Sequence, residues 1–363
     1  MAEYSEGKAR YVLPRKKGQF FNPRGLLSRE IGILITKAEA HLRGEPISLL
    51  ETMAGIGIRT VRYALEGGVS IQWANEGNHE SMELLLENLR LNGVEGRVFT
   101  SVEEAKHLLA KFSLIDERFD MIDLDAFGSP SEFSHHAISA LKLGGILYLT
   151  STDGFTLCGL KQGAALRNYG VHTLSAKFCH ELGGRVVMSQ FMKVAGNFGF
   201  HMEPLIFVYD GYSWRIAMRL VKGVEGQFGD FGYVLYNPST AEYRLIKDNV
   251  LPELEGKWRI SGPVYLGPIH DKQFVEVMYR LSEDYPLARK TLEKILGEID
   301  YPLYYDYTEI CDIIGVSTPS RKKIIRELRK RGYEASETHI SSVGIKTNAP
   351  IQVLQDVLRS LNQ

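Results

Sequence analysis

The stretch Met121-Ile122-Asp123-Leu124-Asp125-Ala126-Phe127-Gly128-Ser129-Pro130 limits the folds open to this chain more than any other. Its short apolar run, closed by two carboxylates, an aromatic ring and turn residues, predicts a strand covered on both faces that opens into a loop. In open α/β sheets ligands gather just beyond the carboxyl ends of such strands, which is where Asp125 and Phe127 fall. A carboxylate beside a flat ring suits an enzyme that stacks a planar substrate and accepts a proton or hydrogen bond from it. Asp, Gly, Ser and Pro after a strand are also ordinary turn chemistry, so the stretch alone leaves an Asp-turn with a core Phe equally open.

The flanking sequence repeats the pattern. Residues 47–51 predict a strand ending in Glu51, followed by a glycine turn through Gly55 and Gly57 and a helix carrying Arg59, Val61 and Leu65. Glycines there let a ligand approach the backbone, although the spacing is not that of the dinucleotide fingerprint. It looks like the acidic-residue-then-Gly-x-Gly loop of S-adenosylmethionine-dependent methyltransferases. A second strand over 69–75 ends in Glu76, placed where an acid meets ribose hydroxyls in nucleoside-binding folds. A third, 97–100, precedes Glu103 and Glu104, and an acid there can meet an adenine amine. A fifth, 145–150, ends in Ser151-Thr152-Asp153-Gly154. Strands alternating with helices predict a doubly wound, mostly parallel sheet to about residue 220. Upstream, Phe20 and Phe21 lie in a loop, and Ser28 reads as the N-cap of a helix. Arg29, in that helix's first turn, opposes the helix dipole unless an anion is near.

At 363 residues the chain predicts two domains, with boundaries at 1–221 and 222–363. A net charge of −1 excludes a globally polyanion-binding surface, so any nucleic-acid contact must be local. The densest basic segment, 320–332, has an apolar helical stripe of Ile324, Ile325 and Leu328 flanked by Arg321, Lys322, Arg326 and Arg329, with Ser320 at its start. By charge pattern alone it reads first as a solvated face. Cys158, Cys179 and Cys311 have no paired spacing, so they are read as reduced and structural, with no metal. No long uncharged apolar run and no secretory layout are present, and a cytoplasmic protein without membrane contact or obligate protein partner is expected.

Taken together, the motifs resemble the Trm1 family, the tRNA guanine-26 N2-methyl- and dimethyltransferases. The likeness runs through Glu6-Gly7-Lys8-Ala9, Phe20-Phe21-Asn22-Pro23, Ser28-Arg29-Glu30, Gly57-Ile58-Arg59 and Ala74-Asn75-Glu76. It continues through the Asp123 to Pro130 loop, Thr150-Ser151-Thr152-Asp153-Gly154, Gly262-Pro263-Val264-Tyr265-Leu266-Gly267-Pro268, Thr338-His339 and Gly344-Ile345-Lys346-Thr347-Asn348-Ala349-Pro350. Its wording resembles the bacterial, cyanobacterial-type branch.

The resemblance implies a Rossmann-like class I methyltransferase domain followed by an α+β tRNA-binding domain. S-adenosyl-L-methionine would be the methyl donor and tRNA the partner. It makes Asp125 the acid that hydrogen-bonds and deprotonates the guanine N2 amine, with Phe127 and Phe20 holding the flipped base. Arg29, Arg59 and Glu76 would line the donor site, with Arg29 on the methionine carboxylate. It shifts the basic helix toward phosphate contact and gives His339 and Lys346 RNA-contact roles. The chain departs from the family in having Ala126 where Pro is usual, Glu76 where many relatives carry Asp, and no cysteine cluster of the zinc-binding kind. Two rival functions stay open: an N-methyltransferase of another nucleic-acid amine, and an inactive RNA-binding relative.

Overall fold

Apolar runs and glycine turns sort the first 222 residues into alternating strands and helices in a computed structural model that describes residues 3–115, 117–223, 227–247 and 256–362. A hairpin of β1 (Glu3–Glu6) and β2 (Ala9–Val12) precedes α1 (Leu26–Arg43), β3 (Ile47–Glu51) and α2 (Ile58–Glu66). Next come β4 (Val69–Asn75), α3 (His79–Leu91), β5 (Val98–Ser101), α4 (Ala105–Leu114), β6 (Phe119–Leu124) and α5 (Ser134–Ser139). The rest of this part is β7 (Leu141–Ser151), α6 (Gly154–Leu157), α7 (Gln162–Tyr169), α8 (Cys179–Asn197), β8 (Phe200–Tyr209) and β9 (Trp214–Lys222).

The strands form one sheet in the order β5-β4-β3-β6-β7-β9-β8. The first five are parallel, and β9 and β8 are added antiparallel. Strand order reverses between β3 and β6, so the crevice beyond their carboxyl ends is where a ligand fits. Register sets what meets there: Glu51 lies opposite Asp123, and Thr150 opposite Arg215.

The chain beyond β9 builds β10 (Phe231–Asn237), β11 (Glu242–Ile246) and β12 (Arg259–Tyr265), a three-stranded antiparallel sheet. Helices α9 (Lys272–Arg280) and α10 (Pro286–Leu296) follow. Then β13 (Tyr305–Asp306), α11 (Tyr307–Ile314), α12 (Arg321–Lys330), β14 (Ala335–Glu337), β15 (Gly344–Thr347) and α13 (Ile351–Ser360) form a second small sheet with three helices. Asp271 and Asp306 cap α9 and α11 through their carboxylates, satisfying amides a free helix end leaves open.

Packing crosses the expected boundary at 221/222. One face of the large sheet buries Ile33, Leu34, Met121 and Tyr148 against Phe274, Met278 and Leu292 of α9 and α10. On the other face a continuous core runs from Ile122 and Phe191 to Leu303, Ile324 and Leu354. Burial at about 25 cal/mol per Å² makes such a shared core the chief cement between the two parts. A third cluster seats the N-terminal hairpin, through Tyr11, on Ile58, Val61 and Leu85 of α2 and α3.

Candidate active site

The end of β6 holds a cluster of two carboxylates and two guanidiniums. Arg59, in the first turn of α2, donates from Nη1 to both oxygens of Asp123 (2.8 and 2.6 Å) and from Nη2 to Asp125 Oδ2 (2.7 Å). Arg215 donates from Nη1 to Asp125 Oδ1 at 2.8 Å and also contacts the Thr150 hydroxyl. Tyr63 donates its hydroxyl to Asp123 Oδ2 (2.8 Å). Asp123 is fully buried, whereas the Asp125 side chain keeps 32% of its surface. Burial pushes the Asp125 carboxyl up, but Arg215 and then Arg59 outweigh it and hold the group well below the usual carboxylate range. Glu51, entirely enclosed, is pushed the other way by burial and then by the Asp123 charge. Two carboxylates therefore face two guanidiniums, and only Asp125 offers an edge to a substrate.

The loop after Asp125 is tied to the exit of β7. Gly128 donates its amide to Thr152 Oγ1 (2.7 Å), while its carbonyl accepts from the Thr152 amide (2.9 Å) and the Ser151 hydroxyl (3.1 Å). Gly128 sits at φ +77°, a conformation side chains resist. These bonds supply the stiffness a proline at Ala126 would give, and Ala126 itself is buried in the core. Phe127 projects with 83% of its surface exposed, and Phe20, at 60%, stands beside it. The two ring centroids are 6.1 Å apart at 80°, so the expected pair is brought together edge to face. A base slots between two faces only after one ring turns.

Next to this edge lies a cradle. Glu76 Oε2 accepts the Gly55 amide at 2.7 Å, and its Oε1 accepts the Asn78 amide at 2.9 Å. The carboxylate thus joins the glycine turn to the end of β4, with lone pairs to spare for hydroxyl donors. Gly55 and Gly57 have φ of +58° and +81°, and a Cβ on Gly55 would meet only open space, leaving room for a ligand against that backbone. Asn75 clasps the Glu103 backbone through its Nδ2 (2.9 Å) and Oδ1 (3.0 Å), which sets Glu104, exposed at the start of α4, alongside the end of β4. An open glycine turn, a carboxylate with spare lone pairs and acids beyond β5 form an arrangement that a nucleoside can fit.

Three expectations need correction. Ser28 is not the N-cap: α1 begins at Leu26 with Gly25 in that position, and the Ser28 hydroxyl donates to the Gly25 carbonyl. Arg29 already has an anion of the protein's own beside it. Its Nε and Nη2 donate to Glu6 (2.7 and 2.6 Å) and its Nη1 to the Asn22 carbonyl (3.0 Å), and the pair is buried. Glu6 also accepts from Arg62 (2.8 Å), so the N-terminal Glu-Gly-Lys-Ala motif supplies the anion that Arg29 needs. The side chains of His339 and Lys346 are buried rather than presented to RNA. His339 pairs with Glu298 at 2.6 Å, and Lys346 reaches Glu181 at 2.9 Å and donates to the Tyr301 carbonyl at 3.2 Å.

The basic helix forms as expected over α12, with Ser320 in the N-cap position but making no cap bond. Lys322, Arg326 and Arg329, with Lys294 and Lys330, line a groove of about 700 Å³ between α10 and α12. Arg321 is half-buried and held by Glu337 at 2.5 Å. Sequence reasoning missed Arg215, 90 residues beyond Asp125, and the signal was faint: one cation within the apolar run from Trp214 to Met218.

A family model described as N2,N2-dimethylguanosine tRNA methyltransferase matches residues 2–359. A tRNA (guanine(26)-N(2))-dimethyltransferase of Pyrococcus abyssi is 32% identical over 99% of each chain. One of Archaeoglobus fulgidus is 29% identical, again over 99% of each. The structure of Trm1 from Pyrococcus horikoshii in complex with S-adenosyl-L-methionine superposes with a TM-score of 0.89 at 31% identity, covering 99% of this chain and 100% of that one. Matched along its whole length in both sequence and architecture, this chain belongs to the N2,N2-dimethylguanosine tRNA methyltransferase family.

Proposed function

We propose that the protein transfers methyl groups from S-adenosyl-L-methionine to the exocyclic N2 of guanine 26 in tRNA. The observation that carries this is the exposed edge of Asp125, clamped by Arg59 and Arg215 at the sheet's switch point beside Phe127 and Phe20. When bound, the donor offers a methyl group on a cationic sulfur, which leaves as a neutral thioether. Gly55 and Glu76 hold that donor by its ribose, and Phe127 and Phe20 take the extruded base by its faces, offsetting the few kcal/mol of unstacking.

Asp125 does the rest. Its free lone pairs accept an N2–H bond and thereby raise electron density on an amine that conjugation has made a poor nucleophile. With both oxygens already anchored, it aims the N2 lone pair rather than following the substrate. Two guanidiniums make it a weak base, so it does not take a proton from the neutral amine. The proton moves after nitrogen has bonded to the methyl carbon and become cationic, when even a weak carboxylate accepts it and passes it to water.

Lys322, Arg326 and Arg329 form the tRNA-phosphate surface in this reading. The test is nucleoside mass spectrometry of tRNA incubated with enzyme and donor, using one tRNA with guanine at position 26 and the same tRNA with adenine there. Methylated guanosine from the first alone supports the proposal, and methyladenosine from the second replaces it with the rival amine chemistry.

A further inference from the structure

We propose that Cys158, Cys179 and His180 form a binding site for one thiophilic divalent cation of the zinc class, with two thiolates and an imidazole as ligands and a fourth position open. The three donor atoms lie within 4.8 Å of one another, though the cysteines are 21 positions apart in sequence. The fold brings together donors that the sequence spacing keeps apart. Cys158 closes α6 and Cys179 opens α8, and the two helix ends meet.

Tetrahedral zinc, with bonds of about 2.3 Å to sulfur and 2.0 Å to nitrogen, needs donor separations of about 3.5–3.8 Å. A cluster spanning at most 4.8 Å closes to that by rotating side chains. The ligands are held in place: the His180 ring stacks on Tyr209 with centroids 4.2 Å apart at 16°, and its carbonyl accepts the Trp214 indole at 2.6 Å. Cys179 stands at the first position of a 19-residue helix, so its Cα–Cβ direction is fixed by the helix backbone. Two thiolates balance a divalent charge, and half-buried Cys158 leaves an approach from solvent.

The other such cluster among the described residues, His270, Glu298 and His339, does not suit a cation. His270 Nδ1 accepts the Phe207 amide (3.3 Å), which puts the ring proton on Nε2, and the Lys346 ammonium lies 4.0 Å from Glu298. At Cys158 the consequence reaches the catalytic loop. Helix α6 begins two residues after Thr152, which braces Gly128, so a metal joining α6 to α8 fixes the far end of that brace.

The test is anaerobic titration of the reduced, chelator-treated full-length protein with Co²⁺. A thiolate-to-cobalt charge-transfer band saturating at one equivalent is expected, absent in Cys158→Ser and Cys179→Ser and unchanged in Cys311→Ser. His180→Ala should keep the band and weaken binding about tenfold. Zinc-edge X-ray absorption of the zinc-loaded wild type, which needs no variant to fold, should show two sulfur neighbours and at least one nitrogen. No band in the wild type, a band that survives Cys158→Ser, or an edge without sulfur overturns the site.

Discussion

Asp125 shows how one residue's surroundings decide its chemistry. Because Arg215 and Arg59 hold its carboxyl down, the ion pairs contribute stability above the unfolded value of about 3.9, and that contribution is lost only as pH falls through the lower folded value. The methylation rate should therefore show no limb from Asp125 between about pH 5 and 8. Asp125→Ala should lower the rate about a hundred- to ten-thousandfold, since Arg59 keeps Asp123 and the fold survives. Near wild-type turnover of the guanine-26 tRNA by that variant would rule out the mechanism. Arg215→Met makes a finer test, because removing the Oδ1 donor lets burial raise the carboxyl. Single-turnover assays should then show a slower reaction with an acid limb at higher pH than in the wild type. Arg215 was nearly invisible beforehand: its partner comes from another strand, and only the β7–β9 register brings them together.

At the scale of elements, strands were the most legible features. Ile, Leu and Val between glycine turns mark β3, β4, β6 and β7 in almost any context, and the acids that end them follow from strand geometry. Helix starts were less legible, because a serine near an apolar run, such as Ser28, bonds backwards as easily as it caps. The Gly55–Glu76 link was readable only as two separate halves, and joined they predict that Glu76→Ala raises the donor's dissociation constant at least tenfold by calorimetry. Helix α12 kept its charge pattern, but Arg321 turned inward to Glu337. The triple change of Lys322, Arg326 and Arg329 to Gln should lower the salt slope of tRNA binding by about one unit per lost contact. An unchanged slope would make the groove a bystander.

For the whole molecule, two of the polar residues assigned to RNA from the sequence, His339 and Lys346, prove to lie in the seam. Lys346 joins β15 to Glu181 of α8, and Glu181 also accepts from Arg185 (2.8 Å) and the Leu303 amide (2.8 Å). A lysine and a histidine in a turn-rich stretch read as surface because nothing local announces their carboxylates, Glu181 for Lys346 and, 41 residues away, Glu298 for His339. Lys346→Met should cost about 3 kcal/mol of unfolding free energy in urea while leaving the salt slope of tRNA binding untouched.

Helices α9 and α10 extend that dependence, since they lie on α1 and the sheet. The Ala288 amide donates to Glu30 at 2.8 Å and the Tyr285 hydroxyl to Glu66 at 2.9 Å. The half that carries the chemistry is therefore not a cassette. Cutting the chain after β9 would strip a wall from the sheet and expose its apolar face to self-association. An architecture sealed in this way is steered toward altering surface side chains in place, not toward trading one appendage for another.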